Sequence, residues 1–78
     1  MRIVRVGVDL AKIVFQVHGV DHHEKTVWQR KLHRDEWIQM LLAKIEPGCK
    51  IGMEACGGAH HWARLLQSKG YVVKLIAP

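Results

Sequence analysis

Long apolar runs are absent from this 78-residue chain, and with them any segment long enough to span a membrane. Cysteine is scarce: Cys49 and Cys56 are the only two, without the dense, even spacing of a disulfide-stapled scaffold. The opening Met1-Arg2-Ile3-Val4-Arg5 is basic but carries no apolar stretch of signal-peptide length. A reduced, cytoplasmic setting with no membrane partner is therefore expected. Proline is limited to Pro47 and Pro78, and no linker, repeat or low-complexity tract interrupts the chain. That leaves room for one small domain. A domain of this size buries only about 60–65% of its unfolded surface, so marginal stability is expected. Acidic residues are also few, 7 against 12 Lys and Arg, giving a formal net charge of +5 with the 6 histidines neutral. The histidines add positive charge below neutral pH. Such a balance is consistent with a polyanionic partner such as nucleic acid.

What is present is strongly periodic. Ile3 to Asp9 is β-rich and mostly apolar, which predicts a strand central in its sheet and covered on both faces. After a break at Leu10-Ala11-Lys12, Ile13 to Val20 predicts a second strand with Ile13, Phe15 and Val17 on one face. Asp21-His22-His23-Glu24 reads as a polar turn. Lys25 to Leu32 alternates and is charged, as expected of a third strand near an edge. The period then changes. Trp37, Ile38, Leu41, Leu42 and Ile45 recur at helical spacing, with Asp35 and Glu36 expected in the first turn, where the helix dipole favours acids. Glu46-Pro47-Gly48 stops that helix. Lys50 to Glu54 predicts a short strand, Ala59 to Lys69 a second amphipathic helix capped by Gly70, and Tyr71 to Ile76 a last strand. The order β-β-β-α-β-α-β describes an α/β domain. A meander is followed by two crossover helices, in a mixed sheet whose later strands run parallel to the first. A helix would normally cover the remaining sheet face, so the chain is expected to be part of a larger domain.

Asp9 closes the first predicted strand and Glu54 the fourth. If those strands are parallel neighbours, both carboxylates emerge at one sheet end, where open α/β sheets build their sites. Close carboxylates repel unless a cation lies between them. Oxygen donors of this kind suit Mg²⁺ or Mn²⁺, and a pair of such ions about 4 Å apart serves phosphoryl transfer. The plainer alternative is an aspartate that opens a turn and a glutamate that is merely solvated.

Val6-Gly7-Val8-Asp9-Leu10-Ala11-Lys12 followed by Val14-Phe15-Gln16-Val17-His18-Gly19-Val20 resembles the opening of the DEDD transposases of bacterial insertion sequences. That group (insertion sequence one-hundred-ten and its relatives) carries a RuvC-like, Holliday-junction-resolvase-type nuclease domain. Gly52-Met53-Glu54-Ala55-Cys56-Gly57-Gly58-Ala59-His60-His61-Trp62-Ala63 is similar to the second acidic motif, and Leu75-Ile76-Ala77-Pro78 to the segment that follows it. The resemblance covers essentially the whole chain. It implies a ribonuclease-H-like (RuvC-like) fold, with residues 1–78 the N-terminal portion of a single nuclease domain. It also implies that Asp9 and Glu54 are the first two catalytic, metal-binding acids. The family's last two aspartates and its C-terminal domain with a strand-exchange serine fall outside these residues. Weak Mg²⁺ or Mn²⁺ binding and little activity are therefore expected of the chain itself. DNA is the implied partner, and the family is associated with a guide RNA.

Other features point less sharply. Gly57-Gly58 before a helix could offer backbone amides to a DNA phosphate, or could be a flexible helix entry. Lys12 could touch a phosphate or be a solvated turn lysine. Cys56, His60 and His61 supply only a partial zinc set. His22 and His23 are expected at a hairpin tip, Trp37 and Trp62 in the core, and Trp28 exposed on an edge strand. Arg30, Lys31, His33 and Arg34 form a basic run at a strand-to-helix corner. Two other functional classes remain open. One is a nucleotide-binding ATPase of the sugar-kinase and actin type, whose phosphate loop would continue with glycine and a hydroxyl residue where this chain has Ala11-Lys12. The other is a non-catalytic binding or assembly module. A sheet with one face uncovered would expose apolar surface, so self-association is expected.

Overall fold

A computed structural model describes residues 2–55 and 58–77. The elements follow in the expected order: β1 (Arg5–Asp9), β2 (Val14–Val20), β3 (Thr26–His33), α1 (Trp37–Lys44), β4 (Lys50–Glu54), α2 (Ala59–Ser68) and β5 (Val72–Ile76). The five strands form one sheet in the order β3-β2-β1-β4-β5. β2 is antiparallel to both β1 and β3, whereas β1, β4 and β5 run parallel. This α/β mixed sheet is compatible with the expected ribonuclease-H-like arrangement.

The connections explain where the helices lie. β3 to β4 and β4 to β5 are parallel crossovers that travel in the same direction across the sheet. The right-handed crossover rule sends both intervening helices to one face. The aromatic side chains meet there: Trp37 of α1 and Trp62 of α2 have ring centroids 5.2 Å apart, and Phe15 of β2 lies 4.9 Å from Trp37. Edge-to-face and tilted rings of this kind add to what their burial contributes. Around them pack Val6, Val8, Val17, Ile51, Met53, Leu41 and Leu66, all buried.

β1, β2, β4 and β5 therefore alternate. β1 is central, as expected, but it is covered on one face only: Val6 and Val8 are buried while Arg5, Gly7 and Asp9 are exposed. The apparent apolar run merged Ile3 and Val4 with a true alternation. Ile13 lies outside β2 and is 60% exposed, so only Phe15 and Val17 of its predicted face are core. Trp28 sits on edge strand β3, yet it is 8% exposed rather than on display. It pairs with Gly19, whose position faces the helices, so its ring joins the core. Asp35 and Glu36 precede α1 instead of occupying its first turn, and Glu36 stands at the N-cap without a side-chain cap bond.

Three local devices hold the turns. Asp21 Oδ1 accepts from the backbone amides of His23 (2.8 Å) and Lys25 (3.1 Å), closing the hairpin between β2 and β3. His22 and His23 are exposed on that hairpin, as expected. Tyr71 donates its hydroxyl to the Ile45 carbonyl at 3.2 Å, tying the end of α1 to the start of β5. Gly70 follows α2 with φ +95°, a conformation that side-chain-bearing residues rarely adopt.

Candidate functional site

Parallel pairing of β1 and β4 sets the site. The ladder runs from Arg5 opposite Lys50 to Val8 opposite Met53. Asp9 and Glu54 are the next residue on each strand, so they end neighbouring strands at the same edge of the sheet. Val8 and Met53 face the helices, hence Asp9 and Glu54 both face away from them, and both are exposed. The sequence-predicted pair is thus brought together on one face, at one end, with backbones one strand spacing apart, about 4.8 Å. Among the described residues no salt bridge engages either carboxylate. Exposed carboxylates ending adjacent parallel strands are oxygen donors of the kind that could hold a hard divalent cation. They do not complete a cage: among the described residues no cluster of three or more His, Cys, Asp or Glu side chains could hold a metal ion.

The helix-free face is laid out in rows across the strands. In the acidic row, Gln16 pairs with Asp9 and Ile76 with Glu54. In the next, His18 pairs with Gly7, Gly7 with Gly52, and Gly52 with Lys74. In the third, Val20 pairs with Arg5, Arg5 with Lys50, and Lys50 with Val72. Acids thus occupy the carboxyl ends of the parallel strands and bases the amino ends. A shallow trough of about 700 Å³ runs over the lower two rows with Gly7 and Gly52 on its floor. A second hollow of about 480 Å³ joins Asp9 to Gln16 and Lys31.

Gln16 and Lys31 escaped the sequence reading as neighbours of Asp9. Gln16 pairs with both Asp9 and Lys31, but the irregularity between Gly19 and Val20 shifts the β3 register by one residue, so counting outward from the Asp21 turn would have reached Arg30 in place of Lys31. Lys12 is exposed in the bend between β1 and β2, able to meet a ligand but fixed by nothing in the fold. Gly58 is the N-cap of α2 with φ +86°. Cys56 and Gly57 lie outside the described residues, and with them the Gly57-Gly58 helix entry and the partial zinc set of Cys56, His60 and His61. Cys49 is buried and free, and burial pushes its thiol up, partly opposed by Arg2. It is a packing residue rather than a nucleophile. No helix among the described residues is long and apolar enough to cross a membrane.

Comparison with known proteins gives this geometry a context. No family model matches the chain, and no solved structure matches it. Curated relatives do. A "Probable family 20 transposase" of Pseudomonas aeruginosa is 51% identical over 78 residues, covering 100% of this chain and 22% of the relative. A protein of Sinorhizobium fredii named as a transposase is 49% identical over 77 residues, covering 99% and 19%. A transposase for an insertion sequence element of Coxiella burnetii is 41% identical over 73 residues, covering 94% and 20%. The chain is therefore a homologue of proteins named as transposases, similar to them along essentially its whole length and spanning about one fifth of theirs.

Proposed function

We propose that this chain is the N-terminal portion of a RuvC-like nuclease domain of the DEDD type, from a transposase that cuts and exchanges DNA strands by metal-assisted phosphoryl transfer. The observation that carries the reading is the placement of Asp9 and Glu54 at the same end of adjacent parallel strands on the uncovered face. The transposase names of the relatives support the DNA substrate, and the resemblance of the Asp9 and Glu54 motifs supports the chemistry and the insertion-sequence-one-hundred-ten grouping.

Asp9 and Glu54 would hold Mg²⁺ or Mn²⁺ between their carboxylates. Bound there, such an ion supplies Lewis-acid activation of an attacking oxygen and charge neutralisation at the scissile phosphate. The chain's own contribution is positional. The parallel ladder fixes the two carboxylates side by side on rigid strands rather than on loops. Lys31 shares a hollow with Asp9, and Lys12, exposed in the bend that follows Asp9, could bring further positive charge to an approaching DNA backbone, with Gly58 at the N-cap of α2 after Glu54. Two carboxylates are too few to bind the ion tightly or to finish the reaction, so the 78-residue chain alone is inactive. A guide RNA as a further partner rests on the family resemblance, and self-association of the chain would draw on its exposed apolar side chains, among them Val14, Val72 and Ile76.

Calorimetric titration with Mn²⁺ and with ATP tests the assignment. Weak Mn²⁺ binding, with a dissociation constant on the order of 10⁻⁴–10⁻³ M, is expected, along with no ATP binding. ATP binding that disappears in Asp9→Ala would replace the transposase reading with the nucleotide-binding one.

A further inference from the structure

The stretch from Lys25 to Arg34 contains Lys25, Arg30, Lys31 and Arg34, one histidine and no acid. It forms β3 and its flanks, and β3 is an edge strand. Alternation along β3 puts these charges on both sides of that edge. Arg30 pairs with Val17, which is fully buried, so it stands on the helix side. Lys31 pairs with Gln16 and stands on the other. Arg34 holds the corner beyond, its backbone amide donating to the Ile13 carbonyl at 2.7 Å. Arg30, Lys31 and Arg34 are exposed, and among the described residues no ion pair engages them. His33 does have such a partner, Asp35 at 3.5 Å.

Charges on an edge strand discourage pairing with other chains, and either sign serves that purpose. Here every charge has one sign, and the groups surround a concave surface. Gln16, Gln29, Arg30 and Lys31 line a hollow of about 350 Å³. Arg30 Nη1 donates to the Gln29 carbonyl at 3.0 Å, which lays the guanidinium along the strand and leaves its other N–H groups for a ligand. Apolar protein packed over this lining would strip water from amide and cationic groups without replacing their hydrogen bonds. An anionic, oxygen-rich ligand replaces them. The hollow that reaches Asp9 shares Gln16 and Lys31 with this one.

We propose that Arg30, Lys31 and Arg34 form a contact surface along β3 for a nucleic-acid sugar–phosphate backbone. The three cations span four strand steps, about 13 Å, against one phosphate per about 3.4 Å along each strand of a duplex. The surface reads charge and not bases: Trp28 of the same strand is packed into the core, so it offers no ring for stacking. This inference rests on the nucleic-acid substrate proposed above and names a surface that holds it. It does not depend on the cation site.

Fluorescence anisotropy of a labelled duplex, titrated with the 78-residue chain in chelator at several salt concentrations, tests it. The expected dissociation constant is on the order of 10⁻⁵ M at about 50 mM salt, equal for unrelated sequences. The expected slope of log K against log salt is about −2.7 on DNA, for three phosphate contacts. Arg30→Gln, Lys31→Gln and Arg34→Gln should each flatten that slope by about 0.9 and weaken binding by on the order of tenfold at about 0.1 M salt. Lys69→Gln, which removes the same charge from an exposed position at the end of α2, should change neither. Unchanged circular dichroism checks that each variant keeps the fold. Separate titrations with DNA and RNA duplexes identify which nucleic acid is held, and binding of either that depends on the three residues supports the surface. No binding to either duplex, or a loss that Lys69→Gln reproduces, overturns it. Polyglutamate held as tightly as the duplexes assigns the run to acidic protein and overturns it as well. Because chelator removes divalent ions, failure here leaves the Asp9–Glu54 reading standing, and failure of Mn²⁺ binding leaves this surface standing.

Discussion

Trp37 shows how a single residue divides packing from polarity. Its side chain is fully buried between Phe15 and Trp62, yet its indole Nε1 has no hydrogen-bond partner among the described residues. A buried donor left unpaired costs about 1–3 kcal/mol, while the ring's removal opens a cavity. Trp37→Ala should therefore destabilise by about 3–5 kcal/mol, enough to unfold a domain this small. Trp37→Phe should stay within about 2 kcal/mol of the wild type, since relief of the orphan N–H offsets part of the lost volume. Urea titration of the two variants measures the contrast. Asp21 is the complementary case, a buried carboxylate that is satisfied. The Lys25 amide and then the His23 amide hold its carboxyl below the ordinary value, against the opposing effect of burial. Its folded-state pKa is depressed, so its contribution is present above the unfolded pKa of about 3.9 and lost as pH falls through the folded value. The His23 and Lys25 amides should lose hydrogen-exchange protection in that acidic window and keep it at pH 5–7. Protection that vanished near neutral pH would show that the Asp21 carboxylate does not hold this turn.

At the scale of elements, legibility followed the strength of local punctuation. β4 was readable residue for residue, because Glu46-Pro47-Gly48 stops α1 and the next apolar alternation begins at Lys50. Gly70 was readable as a cap because its φ of +95° is a demand that few other residues meet. Gly70→Ala should cost about 1 kcal/mol or more by forcing that conformation on a residue with a Cβ; thermal unfolding reads it directly. The N-terminus of α1 was misread because acids near a helix start do not fix the first turn. Glu36, at the N-cap with φ −125°, makes no side-chain cap bond. Glu36→Ser, which supplies a shorter oxygen there, should stabilise by about 0.5–1 kcal/mol. Ile13 and Trp28 failed for a different reason. Residue type reports what prefers burial, and only register decides which face a strand residue takes. Trp28 pairs with Gly19, and that pairing places it on the helix side of an edge strand.

Across the whole molecule, the order of elements already contained the site. Two crossovers in one direction put both helices on one face, and the alternation of β1 and β4 then sends Asp9 and Glu54 to the other. The neighbourhood of that pair could not be read so simply, because Gln16 and Lys31 reach Asp9 only through the registers of two hairpin strands.

The central claim, that Asp9 and Glu54 act as one cation site, is tested most directly by a double-mutant cycle in Mn²⁺ affinity, followed by the electron paramagnetic resonance signal of the free ion. Asp9→Asn and Glu54→Gln should each abolish most of the binding, and the double variant should be little worse than either alone, because one shared ion is lost once. Losses that simply add, or binding that survives both substitutions, would show that the two carboxylates hold no ion in common.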